Sequence, residues 1–290
     1  MGSILADHAG GVVRAAAAAA LGTLTARRVL GALVPADPRW TRTNHRGAPI
    51  SLLEGPAAAV GLIAGALAGG SGAAGAAGAV AAAGGAAFGL VDDLSEDARR
   101  SRKGLRGHLG ALAHGELTTG GLKVLGIGAT SLLAAVLATP RAAASRAGGP
   151  GTGMWGWSAD VASSGALIAA TANLVNLLDL RPGRALKAAA LTAAPALVGA
   201  GAPAAAACIA TAAAALPGDL SERDMLGDGG ANALGALVGT AAVLGSSRPV
   251  RWALLCGAVV LTLASERVSF TQVIARTPVL REIDAWGRTG

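Results

Sequence analysis

A chain of 290 residues that is 52% hydrophobic and only 14% charged, with mean hydropathy +0.53, has the composition of a polytopic membrane protein, and a soluble globule is a poor fit to it. The formal net charge of +7 comes from basic residues dispersed among polar connections, and aromatic residues make up only 2%, so it reads as a topology signal and an attraction to anionic headgroups, with no nucleic acid as partner. Cys208 and Cys256 lie in apolar segments without CxxC spacing and read as small core residues, neither a disulfide framework nor a metal site.

The first ten residues are polar and Arg14 interrupts the apolar run after them, so no secretory leader is expected and the first helix is expected to be retained. A hydrocarbon core takes about 20 apolar residues per helix, and on that ruler about nine spans are expected. They fall over residues 11–34, 50–69, 73–91, 119–138, 157–177, 185–199, 203–216, 231–245 and 250–264. The sixth and seventh are short, and only the Gly199-Ala200-Gly201-Ala202-Pro203 break separates them. The 44 glycines and abundant alanines predict tight helix packing.

The basic residues orient the bundle. With the N-terminus outside, the inner connections collect Arg27, Arg28, Arg39, Arg42 and Arg46, then Arg99, Arg100, Arg102, Lys103 and Arg106. Later inner segments add Arg181, Arg184, Lys187, Arg223, Arg267, Arg276, Arg281 and Arg288, whereas the outer ones hold Arg141, Arg146, Arg248 and a borderline Arg251. The expected fold class is therefore all-α, a polytopic transmembrane helix bundle with the N-terminus outside and the C-terminus cytoplasmic. A single transmembrane domain would cover residues 1–266, with a polar helical tail over 267–290.

The unusual polar residues gather on the same side. Gly89-Leu90-Val91-Asp92-Asp93 ends the third apolar segment with two adjacent carboxylates, which repel unless a positive partner such as a hard divalent cation offsets them. The simpler alternative is that Asp93 or Ser95 caps the next helix. Asn173, Asn176 and Asp179 are spaced by three and share a face if the fifth helix continues through them. Asp228, in Met225-Leu226-Gly227-Asp228-Gly229-Gly230, is positioned as the N-cap of the following apolar run, and a glycine-flanked helix N-terminus favours phosphate. Each residue has a structural role open to it: capping for Asp228, turn formation for Asp179, interhelical contact for Asn173.

In this order and spacing the residues resemble the polyprenyl-phosphate N-acetylhexosamine-1-phosphate transferase superfamily, the MraY, WecA and TagO-like enzymes. Gly89 to Asp93 is similar to its Gly-Phe-x-Asp-Asp signature. Asn173, Asn176 and Asp179 match the first half of its Asn-x-x-Asn-x-x-Asp-Gly-x-Asp-Gly stretch, and Leu226 to Gly230 its Met-Gly-Asp-x-Gly-Ser motif with Ala231 in place of serine. Arg46-Gly47-Ala48-Pro49 followed by Glu54-Gly55-Pro56 resembles a basic-x-x-Pro…Gly-Gly element, and Lys103-Gly104-Leu105 comes after the double aspartate. The chain departs from the family at Pro182, where a second loop aspartate is expected, and at Thr277 to Glu282, where a histidine cluster is expected; its histidines are His8, His45, His108 and His114. A tenth span is also missing.

The resemblance implies a Mg2+-dependent transfer of an (amino)sugar-1-phosphate from a UDP-sugar to a polyprenyl phosphate at the cytoplasmic membrane face, opening a cell-envelope glycan pathway. It implies Asp92, Asp93 and Asp228 as catalytic and metal residues. Asn173, Asn176, Asp179, Arg46 and Lys103 would bind substrate, with Arg106 a further phosphate contact and Arg281 or Arg276 standing in for the missing histidines as a phosphate clamp. A homodimer is left open. The departures also leave open a catalytically altered paralogue that binds the lipid carrier or scaffolds envelope synthesis; a transporter fits less well because no internal repeat is apparent.

Overall fold

The computed structural model describes residues 2–34, 37–44, 46–95, 119–139 and 154–288. Lys103, Arg106, His45, His108, His114, Arg141 and Arg146 lie outside the described residues. Within them the chain is all-α apart from one small hairpin. Helix α1 covers Gly2–Leu33, α2 Glu54–Gly69, α3 Gly72–Ser95, α4 Thr119–Ala138, α5 Met154–Leu178 and α6 Arg184–Ala193. The chain continues through α7 Ala202–Leu220, α8 Gly227–Gly245, α9 Arg248–Ser265, α10 Phe270–Arg276 and α11 Pro278–Ala285. Strands β1 Thr41–Thr43 and β2 Pro49–Ser51 pair antiparallel, with Arg42 opposite Ile50.

The small side chains decide how these helices pack. Helix α8 is the central post: from Gly227 to Ala241 nearly every residue is buried, and α2, α3, α5 and α7 surround it. Helix α1 lies against α2 and α7, while α4 bridges α3 and α5. Where Gly85 of α3 faces the Asn232 backbone, a β-carbon would come within 2.7 Å of the Asn232 carbonyl carbon and oxygen, so only glycine permits this approach. Leu62, Leu186, Leu226, Leu234 and Leu237 fill what the alanines leave.

Six helices are long and apolar enough to cross a membrane: α1 from His8 onward, α3, α4, α5, α7 and α9. Helix α9 is mostly exposed, with Val259, Val260, Leu261 and Leu263 facing outward, as expected of a surface that lipid would cover. Each of the nine expected segments contains one helix, with corrected bounds. Ile50 belongs to β2, so the second helix starts at Glu54 and is only 16 residues long. The third runs on through Asp92 and Asp93 to Ser95, because nothing in Leu90 to Ser95 breaks it. The sixth ends in a 3-10 turn over Ala194–Leu197 around Pro195, and the seventh continues to Leu220 through Pro217.

Three further features differ from expectation. The hairpin has no counterpart in the nine-span reading; Asn44 sets its turn by accepting from the Arg46 and Ala48 N–H groups at 2.9 Å each. The tail is two short helices that expose Val279, Leu280, Ile283 and Trp286, so it is amphipathic and not simply polar. Cys208 is buried as expected, but Cys256 is exposed on α9.

Candidate functional site

Helices α3 and α8 touch at the Gly-Leu-Val-Asp-Asp run. A β-carbon at Gly89 would strike the Asp228 carbonyl oxygen, so glycine lets the end of α3 lie directly on the start of α8. This contact brings the Asp93 carboxylate to the first turn of α8, where Oδ1 accepts from the Asp228 N–H at 3.0 Å and Oδ2 from the Gly229 N–H at 2.9 Å. Helix α8 thus receives its cap from another helix. Asp228 does not cap α8, since it sits inside the first turn after Leu226, and the Asp93 carboxylate serves α8; the residues after Ser95, where Asp93 or Ser95 would cap a helix, lie outside the described residues. Gly227 allows this by taking φ +58, with its Cα side facing the Asp93 carboxylate.

Asp93 being engaged, Asp92 and Asp228 are left facing the α4 residue Lys123. Its Nζ makes a short contact with Asp228 Oδ2 and stands 3.7 Å from Asp92 Oδ2; the Lys123 side chain is only 14% exposed. The two carboxylates thus share this one cation. Lys123 carries no signal in the sequence because it is a lone charge near the start of an apolar run, and nothing in that run marks which face it takes. Among the described residues no three His, Cys, Asp or Glu side chains stand in position to hold a metal ion. Mg2+ commonly takes only one or two carboxylates and completes its shell with substrate phosphates and water, and the oxygen donors of Asp92 and Asp228 fit that kind of site.

The hairpin closes over the same end. Ser51 N–H donates to Arg223 O at 3.0 Å and Met225 N–H to Ser51 O at 2.9 Å, tying β2 to the segment that leads into α8. Arg42 donates to the Asp93 carbonyl oxygen. Arg46 pairs with Glu222 at 3.2 Å and Asn44 Nδ2 donates to the other Glu222 oxygen at 2.5 Å. Glu222 holds φ 54, a left-handed conformation that costs a non-glycine residue about 1–3 kcal/mol and is retained only where the surroundings enforce it. Arg27 of α1 reaches Asp224 at 2.6 Å through Nη2 and 3.0 Å through Nε.

Helix α5 ends at Leu178, so Asn173, Asn176 and Asp179 do not form one continuous helical face. Asn173 donates to Thr262 of α9 at 3.4 Å, an interhelical contact. Asp179 is the first residue of a turn, with its N–H on Asn176 O at 3.1 Å. Burial together with Asp219, Asp228 and Asp93 pushes its carboxyl well above the usual carboxylate range. Asp179 to Pro182 line a cavity of about 240 Å³ with Thr43, Asn44, Asp219 and Glu222. Asp219 accepts from the Gly183 N–H at 2.6 Å, and beneath it Glu54 is 3% exposed with no hydrogen-bond partner for either oxygen among the described residues.

The same turn walls a second space. Leu178 and Arg184 help line an apolar groove of about 570 Å³ between α5, α6, α9 and the tail helices. At its polar end Arg184 forms a two-point pair with Asp284, Nε to Oδ1 at 2.8 Å and Nη2 to Oδ2 at 3.0 Å. Burial opposes ionisation of Asp284, but Arg184 and Arg288 outweigh it and hold its carboxyl below the usual range.

The expected site residues therefore divide. Asp92, Asp93, Asp228 and Asp179 are brought together, and Arg46 stands at the hairpin above them. Asn173 turns to α9, and Asn176 has no side-chain bond to the cluster. Arg281 is exposed on α11 and makes no contact with the aspartates, so the tail does not deliver it as a clamp. No family model matches the chain, and no curated protein sequence matches it.

Proposed function

We propose that the chain transfers an (amino)sugar-1-phosphate from a UDP-sugar to a polyprenyl phosphate at the end of the bundle where α3, α4 and α8 meet. The observation that carries this reading is the convergence of Asp92, Asp228 and Lys123 at a helix N-terminus pinned by Asp93; separately, a polar cavity beside Asp179 and an apolar groove share the 178–184 turn. The order of motifs resembling the polyprenyl-phosphate sugar-1-phosphate transferases supports it, as do six helices able to cross a membrane. Nine spans with this end on the cytoplasmic face would agree with the distribution of Lys and Arg.

In this reading the nucleotide occupies the cavity beside Asp179 and the lipid chain the groove. An oxygen of the lipid phosphate attacks the β-phosphorus of the donor; that P–O bond forms as the bond to the bridging oxygen breaks, and UMP leaves. The second ionisation of a phosphate monoester lies near pH 6, so the nucleophile is already largely dianionic and needs positioning more than a base. Lys123 places a cation against the incoming phosphates, and Asp93, by accepting the Asp228 and Gly229 N–H groups, holds the start of α8 and with it Asp228 at the junction. A Mg2+ ion, held by Asp92 and Asp228, would supply charge neutralisation for the leaving UMP.

The test is UMP release by purified protein given polyprenyl phosphate, Mg2+ and a panel of UDP-sugars. Lipid-dependent release that EDTA and Asp228→Asn abolish is expected. Silence across the panel from folded protein would favour a carrier-binding or scaffolding paralogue, the reading to which Pro182 and the lack of a histidine cluster in the tail point.

A further inference from the structure

At the mouth of the apolar groove three cations gather around Asp284, two of them on its carboxylate and one on its main-chain oxygen. Arg184 and Lys187 are 6% and 8% exposed, and Arg288 joins them from the tail. Asp284 is paired to Arg184 at two points and accepts from Arg288 Nη2 at 2.7 Å. Lys187 Nζ has no carboxylate of its own: it donates to the main-chain oxygens of Asp284 and Trp286 at 2.7 and 3.0 Å. Asp219 is the other acid that faces this group, and its carboxylate also accepts from the Gly183 N–H, so three cations face two acids. The local excess is therefore positive and buried, which is costly unless an anion completes it.

The groove supplies the rest of the ligand's description. Its walls are Leu174, Leu178, Leu191, Leu261 and Val273 with their neighbours, and two of its walls, α5 and α9, are long apolar helices, so it is suited to a hydrocarbon chain entering from a bilayer. A guanidinium meets a carboxylate and a phosphate with the same two-point geometry. We propose that Arg184, Lys187 and Arg288 form a headgroup site for a phosphorylated long-chain lipid, and that Asp284 of the tail occupies it as a built-in competitor.

Helices α10 and α11 are then a strap. Their polar hold on the body is concentrated at this cluster, through Asp284, Trp286 O, Thr271 to Arg184 at 3.0 Å, and Arg288 to Pro182 O at 2.9 Å. The arriving phosphate takes over Arg184 and Lys187, and Asp284 swings out with α11, whose exposed Val279, Leu280 and Trp286 suit a membrane interface. This rests on the groove holding the lipid in the proposed transfer, but it concerns binding and needs no turnover.

The test measures binding of a long-chain prenyl monophosphate to the full chain in phosphatidylcholine nanodiscs, without donor nucleotide, with inorganic phosphate and the corresponding uncharged prenol as competitors. Asp284→Asn removes the competitor and is expected to tighten binding about tenfold, the gain when a ligand no longer displaces a latch that is closed about nine parts in ten. Asp284→Glu restores the carboxylate and is expected to bind like wild type, and Arg184→Gln with Lys187→Gln to lose binding. Neither competitor alone should displace the lipid at equal concentration. Unchanged or weaker binding by Asp284→Asn in protein that elutes as wild type would overturn the proposal, as would displacement by inorganic phosphate alone. Binding that survives in Asp228→Asn, whether or not UMP is released, keeps this result separate from the fate of the transferase reading.

Discussion

Lys123 carries two acids, and the consequences of removing it are physical before they are chemical. Lys123→Met leaves Asp92 and Asp228 facing each other without a cation in a largely enclosed site. Breaking one side of a buried pair costs about 3–5 kcal/mol, and the partial exposure of the two carboxylates places this case near the lower end. A lowered unfolding temperature in detergent, relieved in the Lys123→Met, Asp92→Asn double variant, is the expected outcome. Asp179 acts in the opposite sense. Its folded-state pKa lies above its unfolded value, so the folded chain binds the extra proton, and stability falls as pH rises from the unfolded carboxylate range toward the folded value. Asp179→Asn is expected to flatten that decline, which unfolding temperatures measured between about pH 4.5 and about pH 8 would reveal. The Gly-Leu-Val-Asp-Asp run identified the two aspartates in the sequence, but not their division of labour, because adjacent residues on a helix point about 100° apart and only the partners decide what each one meets.

Helix α8 depends on help from outside itself. It begins with no side-chain cap of its own, and Asp93 on α3 accepts its first N–H groups. Asp93→Ala should cost about 1–2 kcal/mol, as for other N-cap deletions, and Asp93→Asn less, since an amide oxygen still accepts. Gly89→Ala tests the contact that makes this possible: its methyl group meets backbone, which cannot rotate aside, so a loss of about 1–3 kcal/mol or failure to fold is expected in the same unfolding assay. Glycine abundance announced close packing from the sequence alone. It did not announce which helices would touch, since α3 and α8 are separated by 131 residues between Ser95 and Gly227. The hairpin was hidden for a related reason: three-residue strands carry almost no periodicity, and β2 is held as much by Arg223 and Met225 as by β1.

The bundle as a whole places its polar convergence at one end. Arg46, Asp179 and Arg223 surround the cavity end, whereas Asp160, Arg248 and Trp157 mark the opposite end, where Arg248 pairs with Asp160 at 2.5 Å and Trp157 donates to Thr139 O at 2.7 Å. Single cysteines at Arg46 and Arg223, in a Cys208→Ser, Cys256→Ser background, should therefore react with an impermeant maleimide only after the membrane is opened, and a cysteine at Trp155 should react in intact cells. Reaction of all three from the same side would invalidate the nine-span arrangement. Composition and periodicity by themselves determined the helical class and the approximate position of the long helices among the described residues, because burying a backbone in lipid leaves few alternatives to a helix. Only the tertiary structure decided that Asp93 caps α8, that Asp92 and Asp228 share Lys123, that Arg281 stands apart and that Asp284 sits among Arg184, Lys187 and Arg288, because each depends on which groups distant in sequence meet, set by which small residues let which helices come close.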